Sequence, residues 1–301
     1  MAVDTAPGLR LRSGEMALLL SATLYGVDTT VSVVALRIVR PVDLLAVEIA
    51  GAALVLLVAA AVRGRLHRRG ALRQMSLGAL VPGLAFLFAD LGLARTSASN
   101  GSLLLASEPM LSVLLALVLL RERLTGRATV ALAVGLTGGV LVSTQPGAST
   151  GSDMLLGNVL VLVAVVAAAV FLVATRRWND DGDGLAASAW QNVGGALSVL
   201  PFVTVSWSTG GSRLGTAGAT GWLACFTVVT LGAIAGVAFN RGIVRVPATR
   251  AGQLANLTPV AGTLSAVTWL GERPSPLQLL GGAAILAGLA LLLHNPTKES
   301  R

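Results

Sequence analysis

The sequence predicts an all-α polytopic membrane protein: ten transmembrane helices laid out as two inverted five-helix repeats. Three observations carry that prediction. Of 301 residues, 54% are hydrophobic and 12% charged, whereas an ordinary soluble domain is about a quarter charged. The apolar residues gather into ten runs, each near the ~20 residues that cross a bilayer core. A segment of the first half returns 150 positions later with its basic flanks exchanged.

In order, the runs fall at 16–36, 42–62, 75–94, 98–120, 126–144, 155–175, 185–205, 222–240, 247–270 and 275–293. Polar insertions, several with Pro or Gly, separate them. The opening MAVDTAPGLRLRSGE leads into a run with no convincing small-residue cleavage site, so the first run reads as a retained span. The longest insertion, SWSTGGSRLGTAGATG at 206–221, reads as a flexible loop by composition. No insertion is long enough for a soluble domain. The expected organisation is a first repeat over 1–144, a connector over 145–153, a second repeat over 154–295 and a cytoplasmic tail over 296–301.

Charge sets the orientation. With the N-terminus inside, 17 of the 22 Lys and Arg lie on the inner side, and only Arg37, Arg40, Arg95, Arg213 and Arg273 lie outside. Cytoplasmic loops collect basic residues. Both termini are therefore expected in the cytoplasm and the chain in the cell membrane.

Residues 92–142 align with 242–292 without a gap, and fourteen of 51 positions recur, among them Gly92, Arg95, Pro109, Glu122, Arg123 and Gly138. Five spans per half set the second copy into the bilayer upside down. The charges follow this reversal: Gly271 stands in place of Arg121 and Leu277 in place of Arg127, while Arg241 and Arg250 replace Leu91 and Asn100. Low-complexity similarity alone would not put losses and gains on the correct sides. Inverted repeats around a midplane site are the architecture of many secondary transporters.

Other classes are excluded by what is missing. A lone Cys225 leaves no disulfide framework and no cysteine metal site. His67 and His294 sit at helix ends as solvated flanks, so no metal is expected. The net charge of +8 is scattered over short loops, which serves orientation and not nucleic-acid binding. No G-x-x-x-x-G-K-[ST] loop occurs, so no nucleotide or other cofactor is expected. The expected partners are the bilayer and a small-molecule solute.

Polar groups inside lipid are costly and need a partner, a cavity or a function. Ser21, Tyr25, Asp28 and Ser32 form one stripe on span 1, read here as facing an aqueous substrate cavity. The alternative pairs Asp28 with Arg37 or Arg95. Span 6 has no polar equivalent, so the cavity is expected to be chemically lopsided. Glu108 precedes Pro109 in span 4, where proline frees backbone carbonyls and bends the helix. A carboxyl there suits a proton carrier or a counter-charge; the alternative is a neutral Glu packed between helices. Its counterparts are Thr258 and Pro259, a second bend point. Gln253 and Asn256 in span 9 suit hydrogen bonds to a polar substrate. Asp90 and Asn240, repeat equivalents, are read as gates or as helix-end caps. Trp190 and Gln191 read as interfacial anchors, and Glu48 is a further polar group in span 2. Glu122 and Glu272 read as structural, pairing locally beside Arg. Gly135 with Gly139, and Ala284 with Gly288, permit close helix packing, within the bundle or across a homodimer.

The segment P…LLALVLLRERLT…GLTGGVLV, its copy P…SAVTWLGERPSPLQLLGGAAILAGLALLL and LYG at 24–26 resemble the signature of EamA-type transporters, of the drug/metabolite transporter superfamily. The resemblance implies two inverted five-helix repeats and export of amino acids or other small metabolites, in many members driven by a proton gradient. The chain departs from the family where an Arg is frequent in span 2, about where Glu48 stands.

The expected function is therefore secondary export of a small polar metabolite such as an amino acid, by alternating access, with a proton as the candidate coupling ion. The site would lie between spans 1, 3, 4, 6, 8 and 9, and the prolines would serve as bend points. The alternative is efflux of a lipophilic cation held by Asp28 or Glu108, against which the aromatic content of 4% argues mildly. An intramembrane lipid-modifying enzyme would need clustered nucleophiles, which the sequence lacks, so no enzyme is expected.

Overall fold

The protein is described by a computed structural model over residues 13–105, 107–108, 110–111, 126–143, 152–178, 184–246, 254 and 257–293. Every element among these residues is helical: α1 (Ser13–Leu36), α2 (Pro41–Val62), α3 (Ala71–Gly78), α4 (Ala85–Leu93), α5 (Ala98–Leu105), α6 (Gly126–Ser143), α7 (Ser152–Trp178), α8 (Gly184–Gly210), α9 (Gly218–Ile243), α10 (Leu257–Leu270) and α11 (Pro276–Leu293). Five stretches are long and apolar enough to cross a membrane: α1, α2, the span from Ala71 to Leu93, Asp153–Thr175 within α7, and α9. Helices end where the sequence provides for it. Gly211 (φ 67°) follows α8 and Gly271 (φ 65°) follows α10, and glycine takes this left-handed conformation without a Cβ penalty. Pro41 opens α2, where its missing N–H costs nothing.

The third span is not one helix. Between α3 and α4, Ala79–Leu84 forms a wide turn in which Val81 is extended (φ −137°, ψ 118°). Pro82 supplies no backbone donor there, so the ladder cannot run through it. This break stands in the middle of an apolar run, away from the bends expected at Pro109 and Pro259. Pro109 lies outside the described residues, and Pro259 is buried near the start of α10.

Packing joins helices that are distant in sequence. α1 lies against α9 and α10, α2 against α8 and α9, α3 against α8, α4 against α7, α5 against α10 and α7, and α6 against α11. Small residues set the closest approaches. A methyl added at Gly138 would lie 2.5 Å from the Gly281 carbonyl, and one at Gly288 would lie 2.6 Å from that of Ala131. The small-residue motifs of spans 5 and 10 thus meet inside one chain. A methyl at Gly78 would overlap the Gln191 carbonyl, and one at Gly194 the Met75 backbone.

Buried polar side chains tie the ends. Asp43 is fully buried; its Oδ1 accepts from Trp207 Nε1 (2.9 Å) and Ser212 Oγ (2.8 Å), and its Oδ2 from Arg213 N (2.9 Å). The segment from 206, read by composition as flexible, is therefore ordered: α8 continues to Gly210, a short 3-10 turn spans Leu214–Thr216, and α9 begins at Gly218. Glu272 does not pair locally. Its two oxygens accept from the N–H groups of Ala98 (3.0 Å) and Ser99 (2.9 Å) at the start of α5, where donors are otherwise unmatched. Nearby, Asn100 donates to Asn158 Oδ1 (2.8 Å) and accepts from Gln278 Nε2 (3.3 Å), linking α5, α7 and α11.

Candidate functional site

The break in span 3 leaves room where a continuous helix would pack. Around it lies a cavity of about 40 Å³ walled by Tyr25 of α1, Glu48 of α2, Val81 and Pro82 of the break, Phe86 of α4, Phe171 of α7, Gln191 of α8 and Asn240 of α9. At ~10–15 Å³ per water centre it holds about three waters, less than any metabolite. A substrate must enlarge it.

The walls follow from helical spacing. Gly232 and Gly236 lie one turn apart on α9 and leave space for polar groups of α1 and α2. A methyl at Gly236 would sit 3.5 Å from Tyr25 Oη, and one at Gly232 would sit 3.6 Å from Glu48 Oε1. One side of the cavity is an amide network. Asn240 Nδ2 donates to Ser188 Oγ (2.9 Å), Gln191 Oε1 (2.9 Å) and the Gly236 carbonyl (3.1 Å), and Gln191 Nε2 donates to Gln74 Oε1 (2.8 Å). Gln191 is 4% exposed and so belongs to this network, not to an interfacial belt.

The cavity wall also carries one carboxyl, that of Glu48. Glu48, Asp28 and Asp90 are 4%, 7% and 3% exposed and lie within electrostatic reach of one another. Asp28 sits one turn beyond Tyr25, and Asp90 one turn beyond Phe86. Asp28 Oδ1 and Asp90 Oδ2 have no hydrogen-bond partner among the described residues. No Arg or Lys is buried among those residues. Burying a charge away from water demands compensation, by a counter-charge or by protonation.

The remaining expected residues fall as follows. Ser21 is buried one turn before Tyr25, its hydroxyl without a partner among the described residues. Asp28 forms no pair with arginine: Arg37 is exposed, and exposed Arg95 donates to the Leu91 carbonyl of its own helix. Glu108 is half-buried and reaches Tyr25 electrostatically. Gln253 and Asn256 lie outside the described residues. On the other side of α1, Thr30 Oγ1 meets Ser265 Oγ at 2.7 Å, closing α1 against α10.

Sequence reading left Glu48 unassigned and did not single out Pro82. Pro82–Gly83 inside an apolar run was a visible breaker signal. The aromatic wall had no linear signal at all: Tyr25, Phe86, Phe171 and Phe239 are four of the seven Phe and Tyr residues in the chain, drawn from four helices. Phe171 and Phe239 stand with ring centroids 6.3 Å apart.

The EamA-like transporter family matches residues 12–144 and 155–294. Relatives include the transporter YyaM of Bacillus subtilis (strain 168), 25% identical over 232 residues, 74% of each chain. A protein of Streptantibioticus cattleyicolor named "Probable terminal-alkyne amino-acid exporter" is 29% identical over 205 residues, covering 67% of this chain and 66% of that one. A chloroplastic WAT1-related protein of Arabidopsis thaliana is 28% identical over 270 residues, 85% of this chain and 64% of that one. One crystal structure superposes with a TM-score of 0.63 at 22% identity, covering 93% of this chain and 96% of the other; at that identity the likeness carries the fold alone.

Proposed function

The chain belongs to the EamA-like transporter family, a multi-pass membrane protein, and we propose that it exports a small polar metabolite bearing an amine by alternating access. Amino acids are the class named for one relative. The observation that carries this reading is the small cavity of polar and aromatic side chains, where walls from both halves of the chain meet.

The inverted repeat is part of the proposal, and packing supports it. Exchanging span n with span n+5 turns the contact of spans 1 and 8 into that of 6 and 3, and the contact of 2 and 8 into that of 7 and 3; pairs 2–7, 4–9 and 5–10 map onto themselves. The close approaches repeat as well. A methyl at Gly92 would lie 2.7 Å from the Gly157 carbonyl, and one at Gly242 would lie 2.9 Å from that of Gly14. A methyl at Gly157 or Gly14 would in turn lie 2.8 Å from Cβ of Arg95 or Arg245, respectively. Gly92 and Gly242, like Arg95 and Arg245, are 150 positions apart. The cavity walls pair by the same offset: Pro82 with Gly232 and Phe86 with Gly236.

On this reading both termini are cytoplasmic, the cell membrane is the site, and the cavity faces the inner half of the bundle. The Thr30–Ser265 and Gly26–Thr258 contacts would form an outer seal. The buried carboxyls Asp28, Glu48 and Asp90 make proton coupling the favoured drive. Flux in proteoliposomes should follow an imposed pH gradient; flux indifferent to it removes the coupling, and absence of any solute exchange removes the transport reading.

A further inference from the structure

We infer that the cavity selects an organic cation: an amine joined to an apolar or aromatic body and lacking a free carboxylate. The inference rests on the transport reading and narrows its substrate class.

Three features converge on one space. The first is a one-signed interior. The buried Asp, Glu, Lys, Arg and His side chains among the described residues are Glu15, Asp28, Asp43, Glu48 and Asp90, all acidic. Asp43 is spent on the loop before α9, and Glu15 lies three turns below Tyr25 on α1. Glu48 lines the cavity; Asp28 and Asp90, within its electrostatic reach, each carry an oxygen with no partner among the described residues. An ammonium group entering the cavity meets the Glu48 carboxyl, an acceptor for a charge-assisted hydrogen bond.

The second feature is the aromatic wall. A chain with only seven Phe and Tyr places four of them around this one cavity. Ring faces attract cations most strongly where water is excluded, and they accept an apolar body. Low overall aromatic content therefore says nothing against such a cage, because the rings are concentrated.

The third feature is the opposite wall. Asn240 and Gln191 spend their amides largely on each other, on Ser188 and on Gln74. Among the described residues no buried guanidinium or ammonium stands ready for a carboxylate. A zwitterionic amino acid would have to bring its carboxylate beside the Glu48 carboxyl, within reach of Asp28 and Asp90 and with no buried cation among the described residues to receive it, whereas its decarboxylated amine would not. Like-charge juxtaposition at a desolvated site costs several kcal/mol, so the amine should be preferred by about a hundredfold.

The test uses the full chain in proteoliposomes and counterflow of tyramine against tyrosine. The inference predicts tyramine exchange at least about a hundredfold more efficient than tyrosine exchange. Glu48→Gln should lose tyramine exchange, Glu48→Asp should keep part of it, and both should elute as wild type does from a sizing column. Phe171→Ala should weaken tyramine while leaving the size profile unchanged. Tyrosine exchanged with tyramine idle would overturn the cation inference and leave the export reading standing. Equal exchange of both, or full tyramine exchange by Glu48→Gln, would also overturn it. Exchange of neither by wild type would overturn the inference together with the transport reading.

Discussion

Glu48 and the two glycines opposite it show how a site arises from the absence of side chains as much as from their presence. Gly232 and Gly236 leave the volume that the Glu48 carboxylate and the Tyr25 hydroxyl face. Filling it should block the site without touching either polar group: Gly236→Leu is expected to reduce exchange by at least about tenfold while the protein still folds, measured by counterflow and size-exclusion profile. Asp43 illustrates the other role of a buried carboxyl. Its four accepted hydrogen bonds, from the backbone of Arg40 and Arg213 and the side chains of Trp207 and Ser212, hold the turn between α8 and α9 to the start of α2. Asp43→Ala should cost about 2–3 kcal/mol, read as a lowered Tm in detergent, with substrate preference unchanged. Asp28 stood out in the sequence because a polar stripe on an apolar helix is a periodic signal. Glu48 is a single carboxyl with no stripe around it, and only the fold brings it to the cavity wall.

At the scale of elements, the five long apolar spans were legible because lipid imposes a length and a polarity on each. Their interruptions were less so. Proline marks a possible break, but the strength of the break depends on what packs against it. Pro82 lies where α3 crosses α8 at glycine-to-backbone distance, with Gly78 against Gln191 and Gly194 against Met75, and Gly195 approaches Pro82 itself at 2.9 Å from an added methyl. Those tertiary contacts have no trace in a single stretch of sequence. Gly194→Leu should be more disruptive than a typical overpacking change, costing about 3 kcal/mol or more, seen as loss of monodisperse protein. Pro82→Ala permits a continuous helix and should slow exchange by about tenfold while sparing the fold; unchanged exchange would make the break incidental. The turn from 206 to 217 went the opposite way: Gly- and Ser-rich composition suggested flexibility, and one distant aspartate orders it.

At the scale of the molecule, the proposed duplication rests in the sequence on Pro, Glu-Arg and glycines in register, and its proposed reversal on exchanged arginines. The sequence could not convey how the two copies differ in chemistry where they meet. Asp90 and Asn240 occupy equivalent positions, as do Phe86 and Gly236, so one half contributes acid and aromatic groups where the other contributes amide and space. In the proposed inverted repeat, such asymmetry would let a cavity built from equivalent helices bind one asymmetric solute. The central claim is that the second half is set into the bilayer in the reverse sense to the first. Its most direct test is single-cysteine labelling in intact cells with a membrane-impermeant maleimide, in a Cys225→Ala background, at Ser149→Cys in the connector and at Thr5→Cys and Ser300→Cys at the two ends. The account predicts labelling at position 149 from outside and protection of positions 5 and 300 until the cells are opened; protection of position 149 in intact cells, with labelling only after lysis, would contradict it.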